Sequence, residues 1–523
     1  MSKKNQLLHW ADVAADRVIR EKGDKKSYTV AAGITPSGTV HIGNFREIIT
    51  VDLVARALKD MGKKVRFIYS WDDYDVLRKV PKNMPKQDLL KKHLRRSIVD
   101  VPDPFGEHEN YARHNEAIVE KEVKVVGIEP EFLYQAKKYR ACEYSESIKV
   151  ALQNASKIKK ILDEYREEPL REDWLPLTGF CPACKKDDVS FSDYDGGYCL
   201  KMTCHDCKKN FNVDIRKDGF IKLFWRVDWP MRWSFEKVDF EPGGKDHSTE
   251  GGSFSTGRKI VEIFGWTAPT YQVYDFIRIK GGSGKISSSS GEVVTVSDCR
   301  EVYEPEMLRW LFAGTRPNTE FAISFDADVI KLYEDFDRCE RIFFGKEKVD
   351  EKTREKQKRT YELSMVDKVP KKIPIQPSFR HLTNILLASN MDVKKAKTFY
   401  DAKDKFDKRR LDQRVACAKN WLEKFAPEEF RFSVQDSIPK TLKISKGIKD
   451  ALHEVARLLE EKKFSGEELH KELYEVCHKF NVGPKEFFKS AYQVLISKDE
   501  GPQLSGFIIT IGQKKVADLF SRV

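Results

Sequence analysis

A chain of 523 residues, 40% apolar and 34% charged with a mean hydropathy of −0.56, has the make-up of a globular protein long enough for roughly two to four separately packed domains. No apolar run approaches the roughly 20 residues that span a bilayer, and ten cysteines spread over this length exclude a secreted disulfide framework. A formal net charge of +12 permits a polyanionic partner without requiring one, because 82 acidic residues offset 94 basic ones.

In chain order, Leu7, Leu8, Ala11, Ala14, Ala15, Val18 and Ile19 recur at helical spacing and predict a docked amphipathic helix. Asp12, Asp16 and Glu21 interrupt any secretory apolar core, so the expected compartment is the cytoplasm, with no membrane partner. "SYTVAAGI" then reads as a strand, and a helix follows with Ile48, Ile49, Leu53, Val54 and Leu58 on one side and Gly62 at its close. "KKVRFIYSW" completes a βαβ unit, which predicts a parallel sheet with ligands at the carboxyl ends of its strands. At the strand–helix seam stands "TPSGTVHIGN". Gly38 permits a tight turn and Gly43 a close backbone approach, while a helix N-terminus carries unpaired N–H groups that suit a phosphate. His41 and Asn44, one turn apart, can donate to oxygens that gain charge when phosphorus is attacked. Taken alone, the same pattern also describes a capped helix with a surface histidine.

Residues from about 80 to 225 break this rhythm and read as an insertion. Within it, Asp103, His108 and His114 of "PDPFGEHENYARH" can gather a metal, and a polar loop accounts for them equally well. "CPAC" and "CHDC" place Cys181, Cys184, Cys204 and Cys207 at the spacing of a closed, tetrahedral four-cysteine zinc site, with Cys199 and His205 as spare ligands. Strand signals return in "APTYQVYDFIRI" and lead into "KGGSGKISSSSG". This is no P-loop, since residue 279 is Ile and Lys285 is followed by Ile286. It presents Lys285 among Ser283 and Ser287 to Ser290, a set able to close over a triphosphate. Beyond about residue 300 strand signals nearly vanish, and segments such as "GIKDALHEVARLLEEKK" predict one or two helical bundles. The Lys- and Arg-rich stretch from about 345 to 420 reads either as solvated helix faces or as phosphate contacts to RNA.

The His41 turn and the Lys285 loop together resemble the two signatures of class I aminoacyl-tRNA synthetases, HIGH and KMSKS. With "WADVAADRVI", "WDDYD", "EPGGKDHSTEGGSFSTGRKI" and "FRHLTNIL", the chain resembles the class I lysyl-tRNA synthetase family over nearly its whole length. Two positions depart from the signatures: Asn44 stands for the last His, and Ser288 for the second Lys. The resemblance implies an α/β fold with a Rossmann-type parallel-sheet catalytic domain over residues 1–300, the 80–225 insertion serving the acceptor end of tRNA. An all-α connective and anticodon-binding region follows over residues 301–523. It implies ATP and Mg²⁺ as well as the structural Zn²⁺, with L-lysine and tRNA(Lys) as substrates and a monomer as the expected state. Catalysis falls to His41, Asn44, Lys285, Ser287 and Ser288, and ATP binding to Thr35, Pro36, Ser37, Gly38, Gly43, Asp246 and Lys285. A lysine ammonium needs aromatic faces and acceptors. Candidates for it are Gly33, Thr35, Trp225, His247 and Tyr274, with Tyr271 and Phe276 further aromatic candidates, although several of these rings equally suit a sheet core. The resemblance also suggests a second metal at Asp103, His108 and His114, with Glu107 where relatives carry Cys, a hard ligand replacing a soft one. Spacing alone does not separate lysine from arginine or glutamate, nor an active enzyme from a non-catalytic RNA-binding relative. A small nucleotidyltransferase sharing only the HxGH-type turn fits the length and the zinc insertion poorly.

Overall fold

A computed structural model describes residues 9–280, 293–430, 432–438 and 442–523. The chain divides into two compact units, the first formed by residues up to 299 with 305–323 and 348–369, the second by 300–304, 324–347 and 370–523.

In the first unit helix α1 (Trp10–Lys22) precedes strand β1 (Ser27–Ile34), helix α2 (Ile42–Asp60) and strand β2 (Lys64–Trp71). The expected βαβ unit is present, with β1 and β2 parallel and in register from Ser27/Lys64 to Ile34/Trp71. After helix α3 (Tyr111–Val125), strand β3 (Glu131–Tyr134) adds to the edge beside β2. Part of the span read as an insertion therefore belongs to the sheet. The remainder holds a small antiparallel sheet of β4 (Val189–Ser192), β5 (Cys199–Cys204) and β6 (Asn210–Asp214). Helix α4 (Trp225–Glu236) then leads into β7 (Val238–Gly244), followed by helix α5 (Ser253–Ile260), β8 (Thr270–Tyr274) and the short strand β9 (Ile277–Lys280). The main sheet is parallel throughout, in the order β8–β7–β1–β2–β3.

β7 carries no clear strand signal, because Pro242, Gly243 and Gly244 end it, yet all seven of its residues are buried. It pairs with β8 from Phe240 to Gly244, but with β1 only at Val238 and Phe240. Pro242 lies where the β1 side has left the ladder, so its missing N–H breaks no bond there. The same parting of β1 from β7 opens a crevice at the carboxyl ends of the two strands, where the strand order reverses and open α/β sheets bind ligands.

α2 departs from the one-sided pattern. Arg46 and Asp52 are as buried as its apolar residues. Arg46 donates to the carbonyls of Arg316 and Thr319, each at 2.8 Å. Asp52 accepts from Arg309 at 2.6 Å and Arg56 at 2.9 Å. Segments 305–323 and 348–369 thus cover the face that the sequence leaves polar. Buried charges require paired partners of this kind, because an unpaired ion in a low-dielectric interior is costly.

The second unit is helical. Its C-terminal core gathers Leu452, Val455, Leu473, Leu495, Ile508 and Phe520. Two arginines of the basic stretch lie on the helix Lys405–Lys424 and serve neither solvent nor RNA. Arg414 binds Glu304 at 2.6 Å and Asp337 at 2.8 Å, and Arg410 binds Glu304 at 2.6 Å and Glu340 at 3.2 Å, all buried. Among the described residues no helix is long and apolar enough to cross a membrane.

Candidate active site

The first turn of α2 is closed by its own cap. His41 Nδ1 accepts the Gly43 N–H at 3.1 Å, and Asn44 Oδ1 accepts the His41 N–H at 3.2 Å. This is a capping box built from His and Asn. Burial pushes the His41 pKa down to about 4, so the ring is neutral at pH 7. With Nδ1 accepting, the proton resides on Nε2, and with Oδ1 accepting, the Asn44 amide N–H groups remain free to donate. Both side chains are therefore oriented as donors beside the helix N-terminus. Glycine is needed at 43, where a Cβ would lie 2.8 Å from both Cε1 and Nδ1 of the His41 ring.

The loop before the cap is held from behind by α3. Tyr111 donates its hydroxyl proton to the Ser37 carbonyl at 2.8 Å, and Asn115 donates to the Pro36 carbonyl at 3.3 Å. Neither residue carries a motif, and only the fold brings them to this loop.

The crevice encloses about 800 Å³ and gathers most of the expected residues: Gly33, Thr35, Ser37, Gly38, His41, Gly43, Asn44, Trp225, Asp246, His247 and Tyr274, with Phe276 as well. Pro36 contributes its carbonyl to the loop as described. Tyr271 instead stacks on Phe254 at 3.6 Å between ring centres, as core. Lys285, Ser287 and Ser288 lie outside the described residues. On either side of them, Ile277 of β9 lines the crevice, and the Val294 carbonyl accepts the Ile42 N–H of α2 at 2.8 Å.

The crevice also holds carboxylates that sequence reading missed. Glu47, three residues after Asn44, accepts the Gly33 N–H at 2.8 Å and the Tyr274 hydroxyl at 2.7 Å. Withdrawal from water, with repulsion from Glu241 and Asp72, pushes its pKa up to about 8. Glu241 accepts both indole N–H groups of Trp229 (3.1 Å) and Trp233 (2.6 Å), and burial raises its pKa to about 7. Arg232 bridges Asp72 at 2.5 Å and Asp228 at 3.4 Å. Four carboxylates thus gather at this end, two of them paired with Arg232 and with Lys222 also on the lining, while the α2 end presents N–H donors. The spacing Asn44-x-x-Glu47 was the one available signal for Glu47, since it places both on one helical face.

Two side-chain clusters can hold a metal. The four Sγ atoms of Cys181, Cys184, Cys204 and Cys207 lie within 4.8 Å of one another. Their two knuckles repeat one geometry: Cys181 N–H donates to Lys186 O and Cys204 N–H to Lys209 O, with Lys185 and Lys208 both left-handed. Four unbridged thiols converging in this way fit a tetrahedral thiophilic ion. Cys199 is exposed and His205 bonds Ser190, so neither is a ligand. In the second cluster Asp103, His108 and His114 converge, with His114 Nδ1 3.4 Å from the Asp103 carboxylate. The buried Nδ1 atoms of both histidines have no hydrogen-bond partner. Glu107 reaches only to 3.9 Å of His114, its side chain mostly exposed.

The family model of the tRNA synthetases class I (K) matches residues 8–367. The lysine–tRNA ligase of Borreliella burgdorferi is 48% identical over 520 residues, covering 99% of each chain. That of Treponema pallidum is 47% identical over 532 aligned residues and the whole of both chains. That of Thermococcus kodakarensis is 43% identical over 524, with 98% of each covered.

The cap carries its own test. In a Gly43→Ala variant the His41 ring must leave the helix end, and its pKa, followed by NMR titration, should climb from about 4 toward the ordinary value near 6.5. A ring that still titrates near its original value would contradict the steric reading of Gly43.

Proposed function

This chain belongs to the class I (K) tRNA synthetases, and we propose from that premise that its crevice activates L-lysine with ATP and then esterifies it to tRNA(Lys). The activity is that of a lysine–tRNA ligase. The supporting observation is Glu47, a withdrawn carboxylate whose hydrogen-bond partners are the neutral Gly33 N–H and Tyr274 hydroxyl, set one turn from the donors at the α2 N-terminus. A carboxyl with no cation of its own beside a phosphate-seeking helix end suits a substrate with an ammonium at one end and a triphosphate partner at the other.

The lysine ammonium pairs with Glu47 and Tyr274, with Trp225 and His247 as walls and Gly33 and Thr35 against the α-carbon end. Thr35, Pro36, Ser37, Gly38, Gly43 and Asp246 seat ATP so that its phosphates face the α2 N-terminus. The lysine carboxylate, already ionised, attacks the α-phosphorus and pyrophosphate leaves, so no protein base is needed. His41 Nε2–H and the Asn44 amide donate to the oxygens that gain charge in that step. Lys285, with Ser287 and Ser288, neutralises the departing pyrophosphate, and Mg²⁺ bound to the phosphates adds charge screening. The terminal 2′-hydroxyl of tRNA then attacks the adenylate carbonyl, releasing AMP. The 80–225 segment receives the acceptor end, stapled by zinc on the four cysteines, with a second cation at Asp103, His108 and His114. The helical region 301–523 supplies the connective and anticodon-binding parts. The protein acts as a monomer in the cytoplasm.

Pyrophosphate exchange, run at saturating tRNA with each of the twenty amino acids, should respond to lysine. Faster exchange with any other acid would end the assignment. Glu47 sets a pH dependence. Its carboxyl is held protonated below about 8 in the free protein, and ammonium pairing needs it ionised. Lysine affinity should therefore rise between pH 6 and 8 and level off above. Glu47→Gln should abolish that slope and weaken lysine binding by about a hundredfold; a slope that persists in the variant would assign it elsewhere. Metal analysis of the purified protein should find zinc, and Cys181→Ser with Cys204→Ser should lose it while nucleotide binding persists. Full retention of zinc in that variant would exclude the four-cysteine site.

A further inference from the structure

On the first unit, away from the residues that line the crevice, His9 and Trp10 converge on one carbonyl. His9 Nδ1 accepts the Ala11 N–H at 3.2 Å, leaving Nε2 to donate to the Ala313 carbonyl at 2.9 Å, and the Trp10 indole N–H donates to the same oxygen at 2.9 Å. These bonds consume the acceptor at the end of the helix Pro305–Gly314 and fix the indole ring in place. Beside them lies a hollow of about 260 Å³ lined by His9, Trp10, Ala313, Gly314, Arg316, Lys352 and Lys356. Every charged residue of that lining is basic.

The helix Glu351–Ser364 carries five cations, and they divide by direction. Arg354 pairs with Glu351 at 2.5 Å, Lys358 with Glu355 at 3.7 Å, and Arg359 with Asp12 at 2.8 Å and Asp60 at 2.9 Å. Lys352 and Lys356, one turn apart, have no ion-pair partner among the described residues, and nor does Arg316. They are the two that face the hollow. Like charges one turn apart repel weakly, a cost that a bound anion offsets. Their separation along one helix face is comparable with that of successive phosphates on a nucleic-acid strand, and an immobilised indole beside them offers a surface for a ribose or base.

We propose that this hollow is an RNA-backbone site, in which Arg316, Lys352 and Lys356 hold phosphates of bound tRNA and Trp10 packs against the sugar or base between them. The site rests on tRNA being the substrate, as above. It adds affinity for tRNA and takes no part in lysine activation.

The test compares the wild-type chain with Lys352→Ala/Lys356→Ala. At saturating tRNA, lysine-dependent pyrophosphate exchange and kcat of aminoacylation should stay within about twofold, while KM for tRNA rises about tenfold. The slope of log KM against log salt should become shallower by about 2, one for each phosphate contact removed. Lys352→Arg/Lys356→Arg should restore both values, and Lys358→Ala, which removes a paired cation from the same helix, should change neither. Unchanged KM and slope in the double variant overturn the site, as does an equal shift from Lys358→Ala. Filter binding of tRNA to the same proteins separates this failure from that of the parent reading. Absent exchange with lysine in the wild-type chain overturns the lysine assignment, whereas equal tRNA affinity in wild type and double variant overturns the hollow alone.

Discussion

A histidine closing the first turn of α2 is the contact on which the crevice depends. One hydrogen bond, from the Gly43 N–H to His41 Nδ1, fixes three things together. It supplies a partner to a backbone donor that would otherwise be orphaned, it selects the Nε2–H tautomer, and it aims that proton into the crevice. The ring stays uncharged at pH 7 because it is buried, so what it offers the crevice is a neutral N–H donor. Asn44 completes the box from the other side. A histidine at that position would need its own tautomer set to do both tasks, whereas an amide accepts and donates at once.

The parting of β1 from β7 gives this cap something to act upon. Were the two strands paired to their ends, Gly33 would meet the β7 backbone and no crevice would form. Instead the strands separate after Val30 and Phe240. The opening is bipolar, with helix N–H donors on one side and Glu47, Asp72, Asp228 and Glu241 on the other, beside the two cations Arg232 and Lys222. Such separation orients a substrate bearing both signs of charge before any specific contact forms. Burial raises the pKa values of Glu47 and Glu241, and the neighbouring Asp72 raises both further, with Arg232 offsetting only the second.

Much of the molecule was legible from its residues. The βαβ unit, the glycine-bearing turn, the paired CxxC knuckles and the helical C-terminal half all follow from local rules of turn chemistry, periodicity and ligand spacing. Other features were hidden for identifiable reasons. β7 has Pro and Gly where a strand should be β-branched, because it leaves its neighbour at that point. β3 is four residues long and sits in a span of different texture. Arg410 and Arg414 look like part of a basic face, but their acidic partners at 304, 337 and 340 are distant in sequence. Tyr111 and Asn115 bond only to backbone carbonyls, which leaves no trace in residue type.

The sequence by itself determined the chemical inventory: a His–Asn pair at a helix start, four thiols at metal spacing, a lysine among serines, and an overall balance compatible with RNA. Residue identity and short spacing decide these, because each is a property of a few consecutive residues. Only the tertiary structure decided which groups share a volume. The placing of Glu47 against Gly33 and Tyr274, the support of the loop before α2 by α3, and the hollow framed by Trp10, Arg316 and Lys352 each join segments far apart in the chain. Such contacts arise from sheet order and helix packing, and burial then sets the charge states that spacing cannot reveal.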